Sequence, residues 1–277
     1  MASGRVLGPE YDEHDVAALA NEVLPKYLCF FASLAIDRVI LSPQAAVATL
    51  GPCPSSVVDG IAERLPSAVF HDFEPSQSGV HAAVERTSSV PVPVDVEALT
   101  SLPIRRPDSS FTHVVAVHPI ASPADRLLLF RELFRVLVPG GQLLLTMPLR
   151  GSYPEIADML REFALKHDAT QLSEAIEIGL QARPTPETLS EELERAGFTD
   201  VSVDLELLGV PFDTGRDFAQ HALFRLVVAP DLSALMSLPE REMSTALDYA
   251  KLAVTNYWSE GQFDLTVNIG CVSARRP

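Results

Sequence analysis

Hydrophobic positions change their period along this chain. Between residues 12 and 36, Val16, Leu19, Ala20, Val23, Leu24, Tyr27, Leu28, Phe31 and Leu34 recur at helical spacing. That spacing predicts one helix, or two broken at Pro25. From residue 45 to about 167 short apolar runs alternate with helical periods. Strands are predicted at 45–51, 68–73, 90–95, 112–118 and 142–148, and helices at 56–64, 79–87 and 123–138. This is the pattern of βαβ units, with a parallel sheet covered by helices on both faces. Pro139, Gly140 and Gly141 predict a tight reversal between the helix ending near residue 138 and the strand at 142–148. The order then changes. Thr185, Pro186 and Gly197 read as N-cap, first helical residue and stop for a helix over 186–196. A strand over 199–208 alternates Val201, Val203, Leu205 and Leu207. A last strand over 263–273 puts Phe263, Leu265, Val267, Ile269 and Cys271 on one face. The last two strands lack a crossover helix of ordinary length, so they predict an antiparallel pair carrying a helical insertion from about 209 to 262.

Length and composition narrow the picture. The 277 residues, 47% hydrophobic, are enough for one large α/β domain with an insertion. The net charge of −16, from 37 acidic and 21 basic residues, argues against nucleic acid or an anionic bilayer as partner, because both are gripped by basic residues. Cys29, Cys53 and Cys271 are odd in number and form no CxxC pair, so a reducing compartment with free thiols is expected, and no metal site. Residues 1–11 read as a flexible lead, and MASGRVLGPEYDEHD, residues 1–15, carries acids and no apolar core, so no signal peptide is expected. No uncharged run reaches the roughly 18 residues of a membrane span. A cytoplasmic protein without a membrane segment is the expectation.

The stretch RVLVPGGQLLLTMP, residues 135–148, resembles the segment entering the fifth strand of class I S-adenosylmethionine (SAM) methyltransferases. The resemblance extends over most of 12–208 and, more weakly, the final strand. It implies a Rossmann-like three-layer sandwich with a seven-stranded, mostly parallel sheet and an antiparallel last strand preceded by an insertion. It divides the chain into an N-terminal helical segment (1–44), a core (45–208 with 263–277) and an insertion (209–262) that is a lid or an interface. It also implies SAM as cofactor. VATLGPCPS, residues 47–55, then stands at the glycine-rich loop, with Leu50, Gly51, Pro52 and Cys53 beside the cofactor. Only the first glycine of that motif is kept, as Gly51. Cys53 and Ser55 stand where later glycines would be, and Thr49 where an acid is common. Side chains at 53 and 55 would crowd the methionine part of SAM unless the loop has shifted.

By the same resemblance Glu74, at the tip of the second strand, receives the ribose hydroxyls. A carboxylate suits that task because it accepts from two neighbouring donors. Asp95 and Val96 would meet the adenine. His118 closes the fourth strand at the edge where ligands bind in open α/β sheets; it is a candidate general base or a packing residue. Arg150 and Tyr153 follow the fifth strand on that edge as candidate substrate contacts, Arg150 pairing an anionic group or capping the sheet edge. Methyl transfer to O, N or C of a small molecule is the activity implied, and a homodimer is compatible with it. The alternative is a catalytically inactive protein of the same fold that serves as a binding or regulatory module.

Overall fold

The computed structural model describes residues 7–277. It contains one seven-stranded sheet in the order β3-β2-β1-β4-β5-β7-β6. The strands are β1 (Ala46–Leu50), β2 (Val69–Glu74), β3 (Val94–Ala98), β4 (Phe111–Val117), β5 (Leu137–Pro148), β6 (Thr199–Phe212) and β7 (Phe263–Arg275). β1 to β5 run parallel, and β7 lies antiparallel between β5 and β6. The expected architecture, including the reversed last strand, is the one observed.

The helices are α1 (Glu13–Asp37), α2 (Val58–Arg64), α3 (Gln77–Thr87), α4 (Pro123–Val136), α5 (Pro154–Lys166), α6 (Thr170–Ala182), α7 (Pro186–Arg195), α8 (Gly215–Gln220), α9 (Ala229–Leu235) and α10 (Glu240–Tyr257). Two buried layers sandwich the sheet. On one face Val47, Phe70, Val115, Leu144 and Val267 pack against α1, α2, α5 and the insertion. On the other, Ala48, Val114, Leu143 and Val272 pack against Leu129 and Leu133 of α4 and Leu189 and Leu193 of α7.

Several boundaries differ from the sequence reading for local reasons. β3 begins at Val94 rather than near Val90, because Pro91 and Pro93 carry no N–H for a sheet ladder. The Pro139-Gly140-Gly141 stretch is not a free reversal. Leu137 already pairs with Phe111, and Gly140 N–H and Gly141 C=O both bond Arg276, so the glycines form an irregularity inside β5. β6 continues to Phe212, which shortens the insertion at its start. Helix α6 was not anticipated. Gly179 sits inside it because a Cβ there would come within 2.6 Å of Met236 Cγ.

The largest departure is at the N-terminus. The expected flexible lead covers residues 1–6, which lie outside the described residues, and residues 7–11, which pack. Leu7 and Tyr11 are each 2% exposed. The following helix does not break at Pro25. It runs from Glu13 to Asp37, with a π-helical stretch over Leu19–Leu28 that accommodates the missing N–H. By length and composition this helix is apolar enough to cross a membrane. Its Val23, Tyr27 and Phe31 face is buried in the core.

Candidate functional site

The carboxyl ends of β1, β2 and β4 meet beneath α1. Gly51 follows β1 with φ +148°, and a Cβ there would stand 2.1 Å from the Val117 carbonyl. Glycine therefore lets the loop after β1 pass directly over the end of β4. Leu50, Pro52 and Cys53 are buried beside it.

β2 contributes two acids to one face. Asp72 lies opposite Thr49 in the β1–β2 register, and the Thr49 hydroxyl donates to its carboxylate at 2.6 Å. The acid absent from position 49 is thus supplied by the neighbouring strand. Burial pushes Asp72 up to about 7, against the opposing pull of Thr49 and Arg86. Glu74, 4% exposed, is raised by burial and by Asp72, while Arg86 and Ser55 favour its charge. Gly79 allows the first turn of α3 to lie against it, since a Cβ there would fall 2.7 Å from a Glu74 carboxylate oxygen.

The side chains at 53 and 55 are tied to α3. Arg86 donates to Cys53 Sγ at 3.1 Å and to the Ser55 hydroxyl. Its guanidinium also faces Asp72 and Glu74, so the loop, two buried acids and one arginine form a single electrostatic unit.

Asp95 is elsewhere. It is opposite His71, whereas Glu74 is opposite Ala98. Three residues of strand, roughly 10 Å, separate those positions. Asp95 is ion-paired with Arg106 at 2.9 Å and approaches His71 at 3.3 Å, with its side chain 60% exposed. Val96 pairs with Asp72 on the strand. The structure does not bring Glu74 and Asp95 into one pocket. Beyond β3, Gln77, Glu97, Leu99 and Leu102 line a separate cleft of about 500 Å³.

His118 is fully buried at the end of β4, with φ +49°. Its Nε2 lies 2.9 Å from the Tyr27 hydroxyl and 3.3 Å from that of Tyr153, and the two hydroxyls are 2.6 Å apart. If Tyr153 donates to Tyr27 and Tyr27 to Nε2, both phenol protons are used. The imidazole proton then sits on Nδ1, which has no hydrogen-bond partner among the described residues. Burial lowers the His118 pKa to about 4, so the ring is neutral at pH 7. Tyr153 takes a left-handed conformation, φ +60°, just before α5. Two positive-φ residues in one buried cluster are the kind of strain that gathers at functional sites. Behind Tyr153, Arg183 stands over its ring, 4.9 Å from the centroid, and meets Asp231 at 2.8 Å. Arg150 turns away from this cluster and donates to the carbonyls of Arg183 and Gln181 at the end of α6.

The methyltransferase domain family matches residues 48–145. Over that stretch the chain is similar to a methyltransferase domain. No curated protein matches the sequence significantly. Among solved structures, the YcgJ protein of Bacillus subtilis is 11% identical, with a TM-score of 0.57, covering 90% of this chain and 98% of that one. Haemonchus contortus phosphoethanolamine N-methyltransferase 2, bound to phosphomonomethylethanolamine and S-adenosylhomocysteine, is 15% identical, with a TM-score of 0.54 over 96% of this chain and 58% of that one. The cyclopropane synthase MmaA2 of Mycobacterium tuberculosis is 14% identical, with a TM-score of 0.50, over 96% and 99%. At these identities the likeness concerns the fold.

The buried acids of β2 have a titration signature. Asp72 and Glu74 hold protons in the folded chain at pH values where the unfolded chain has lost them. Their contribution is fully present below the ordinary carboxylate range near 4; that of Asp72 is lost as pH rises to about 7, and that of Glu74 is lost as pH rises through its own raised pKa. His118 acts in the opposite sense: its contribution is present above 6.5 and is lost as pH falls towards 4. Asp72→Asn keeps an acceptor for Thr49 and cannot ionise. Between pH 5 and 8, wild type should lose on the order of 2 kcal/mol relative to this variant in urea unfolding. Parallel pH profiles for the two proteins would contradict the assignment.

Sequence reading missed Tyr27, Arg86, Arg183 and Asp231. Tyr27 and Asp231 lie on helices, and Arg183 just past the end of one, all remote in sequence from the motifs and without a local signature; Arg86, in the helix after Glu74, was within reach of the βα spacing.

Proposed function

We propose that this chain is a SAM-dependent methyltransferase acting on a small molecule, with transfer to O, N or C. The observation that carries the reading is the buried Glu74 carboxylate at the tip of β2, one loop away from Gly51 in its strained, Cβ-intolerant conformation. The donor set suits the cofactor: Glu74 would accept from the ribose hydroxyls, and Gly51 would allow the backbone to approach. The room does not. Between Pro52, Cys53, Glu74 and Gly79 only about 10 Å³ is open, and Tyr11, Val16 and Leu19 of the N-terminal segment line it. When bound, SAM supplies an electrophilic methyl group on a sulfonium.

The chain's own chemistry around that methyl would come from His118 and its tyrosines. A neutral imidazole held through Nε2 presents Nδ1–H as a donor, which orients an acceptor atom of the substrate. Most of the rate would then come from positioning. The bound ligand of the Haemonchus enzyme, a phosphomonoester amine, supports a small polar substrate as the class to test.

The closed site favours a second reading, a binding or regulatory module of the same fold. Calorimetric titration with SAM and S-adenosylhomocysteine separates the two. Measurable binding, weakened roughly 10–100-fold in Glu74→Gln, is expected for the enzyme, because ligand binding would favour the ionised Glu74 as acceptor and glutamine offers only a neutral one. Unchanged affinity in Glu74→Gln would remove Glu74 from the site.

A further inference from the structure

We infer that residues 7–28 plug the cofactor site of their own domain, and that SAM enters by displacing them. This rests on the methyltransferase reading above. Sites for ligands of this size occupy about 300–1,000 Å³. The space among Pro52, Cys53, Glu74, Ser76, Gly79 and Arg86 is about 10 Å³, and from the N-terminal segment Tyr11, Val16 and Leu19 line it. Leu7 extends the closure, packing in the cluster that holds Leu50, Phe73 and Leu99 at the ends of β1, β2 and β3. Farther along the same helix, Tyr27 and Phe31 cover His118. One continuous segment therefore seals both the candidate cofactor site and the candidate catalytic residue.

From Tyr11 to Glu22 three polar attachments lie on the insertion, while Tyr27, at the far end of the segment, bonds His118 and Tyr153. The Tyr11 hydroxyl donates to the Leu226 carbonyl at 3.0 Å. Asp15 pairs with Arg225, and Glu22 accepts from the Ala222 N–H at 3.4 Å. The helix that carries them has its π-helical stretch and Pro25 between the plug and the Phe31 face. Such stretches give a poorer backbone ladder and are where a helix bends. The N-terminal part is thus built to move as a unit about Leu19–Leu28, releasing Tyr11 and Leu7 while Phe31 and Ala35 stay seated.

A plug of this kind has a defined thermodynamic consequence. Apparent affinity falls by the fraction of molecules in which the segment is open, and loosening the latch raises affinity without touching the site. Arg225 is half exposed, pairs with Asp15 and does not itself line the cofactor space, so Arg225→Ala should fold normally. Tyr11→Phe, which removes one hydroxyl, serves as an independent variant. The test is hydrogen exchange of residues 7–28 with and without S-adenosylhomocysteine, together with its association kinetics in wild type and both variants. The expected result is that ligand lowers protection of residues 7–28. The association rate should level off at high ligand, at the rate of opening, and each variant should bind about 2–5-fold tighter. Binding that leaves protection of 7–28 unchanged or raises it, with no gain in the variants, overturns the plug alone. Absence of binding to variants whose residues 7–28 already exchange freely overturns the cofactor assignment, and the plug with it.

Discussion

Asp231→Ala should lower stability by about 3–5 kcal/mol, the cost of leaving one buried charge without its partner. Arg183 and Asp231 are 2% and 6% exposed and meet at 2.8 Å. Arg183 lies at the end of α6 and Asp231 in α9, so their contact fixes the insertion to the sheet side of the fold through Tyr153. The contact is not an aligned hydrogen bond, and Arg183 Nε also lacks a partner, so little besides Asp231 compensates the guanidinium. Removing the carboxylate leaves a cation in an apolar surrounding. Removing both charges does not: Arg183→Met with Asp231→Leu should recover most of the loss, as well-packed apolar replacements of buried pairs commonly do. Urea unfolding of the single and double variants measures this directly. A single variant within about 1 kcal/mol of wild type would mean that water reaches Arg183 and that the cluster is less closed than its burial indicates.

Gly51→Ala should cost about 3–5 kcal/mol, combining a backbone conformation that side chains rarely adopt with a collision against main chain. The new methyl would stand 2.1 Å from the Val117 carbonyl oxygen, and neither atom belongs to a flexible side chain. Relief requires parting the loop after β1 from the end of β4, where the candidate site lies. Loss of any SAM binding should therefore accompany loss of stability. Gly140→Ala supplies the control. Its φ is +76°, but nothing lies within 4 Å of the added methyl. It should cost only about 1 kcal/mol, the strain without the clash. Equal effects at the two positions in thermal or urea unfolding would show that the approach of Gly51 to Val117 is not a structural requirement.

The fold was legible because its signals are local. Alternating apolar runs and helical periods between residues 45 and 167 specify βαβ units, and such units have few ways to assemble. The last strand was expected antiparallel to the strand beginning at Thr199, and it is, with α8, α9 and α10 in the connection between them. Thr185, Pro186 and Gly197 bounded α7 through capping chemistry, and the structure keeps all three roles. Gly51 was legible too, since a lone glycine after a buried strand marks a close backbone approach.

The site was legible only in part. Position along a strand located Glu74 and His118 at the carboxyl edge, because strand ends follow from the apolar pattern. Asp95 shows the limit: two prolines delayed the start of β3, so an acid aligned by motif spacing fell three residues short of the strand's end. Tyr27, Arg183 and Asp231 join His118 across separations that no local pattern encodes, and their pairing depends on how α1, α6 and α9 pack. The N-terminal segment makes the same point most plainly. Its first residues, without a helical or strand period, read as a flexible lead. Leu7 and Tyr11 are buried because the tertiary fold offers each an apolar layer, Leu7 beside Leu50, Phe73 and Leu99 and Tyr11 in the layer on the other face of the sheet, and joining those layers removes apolar surface from water. The sequence alone determined the sheet, its order of helices and the carboxyl edge where chemistry gathers. Only the tertiary structure decided what covers that edge, because burial of two isolated side chains is a property of the surface they meet rather than of the residues beside them.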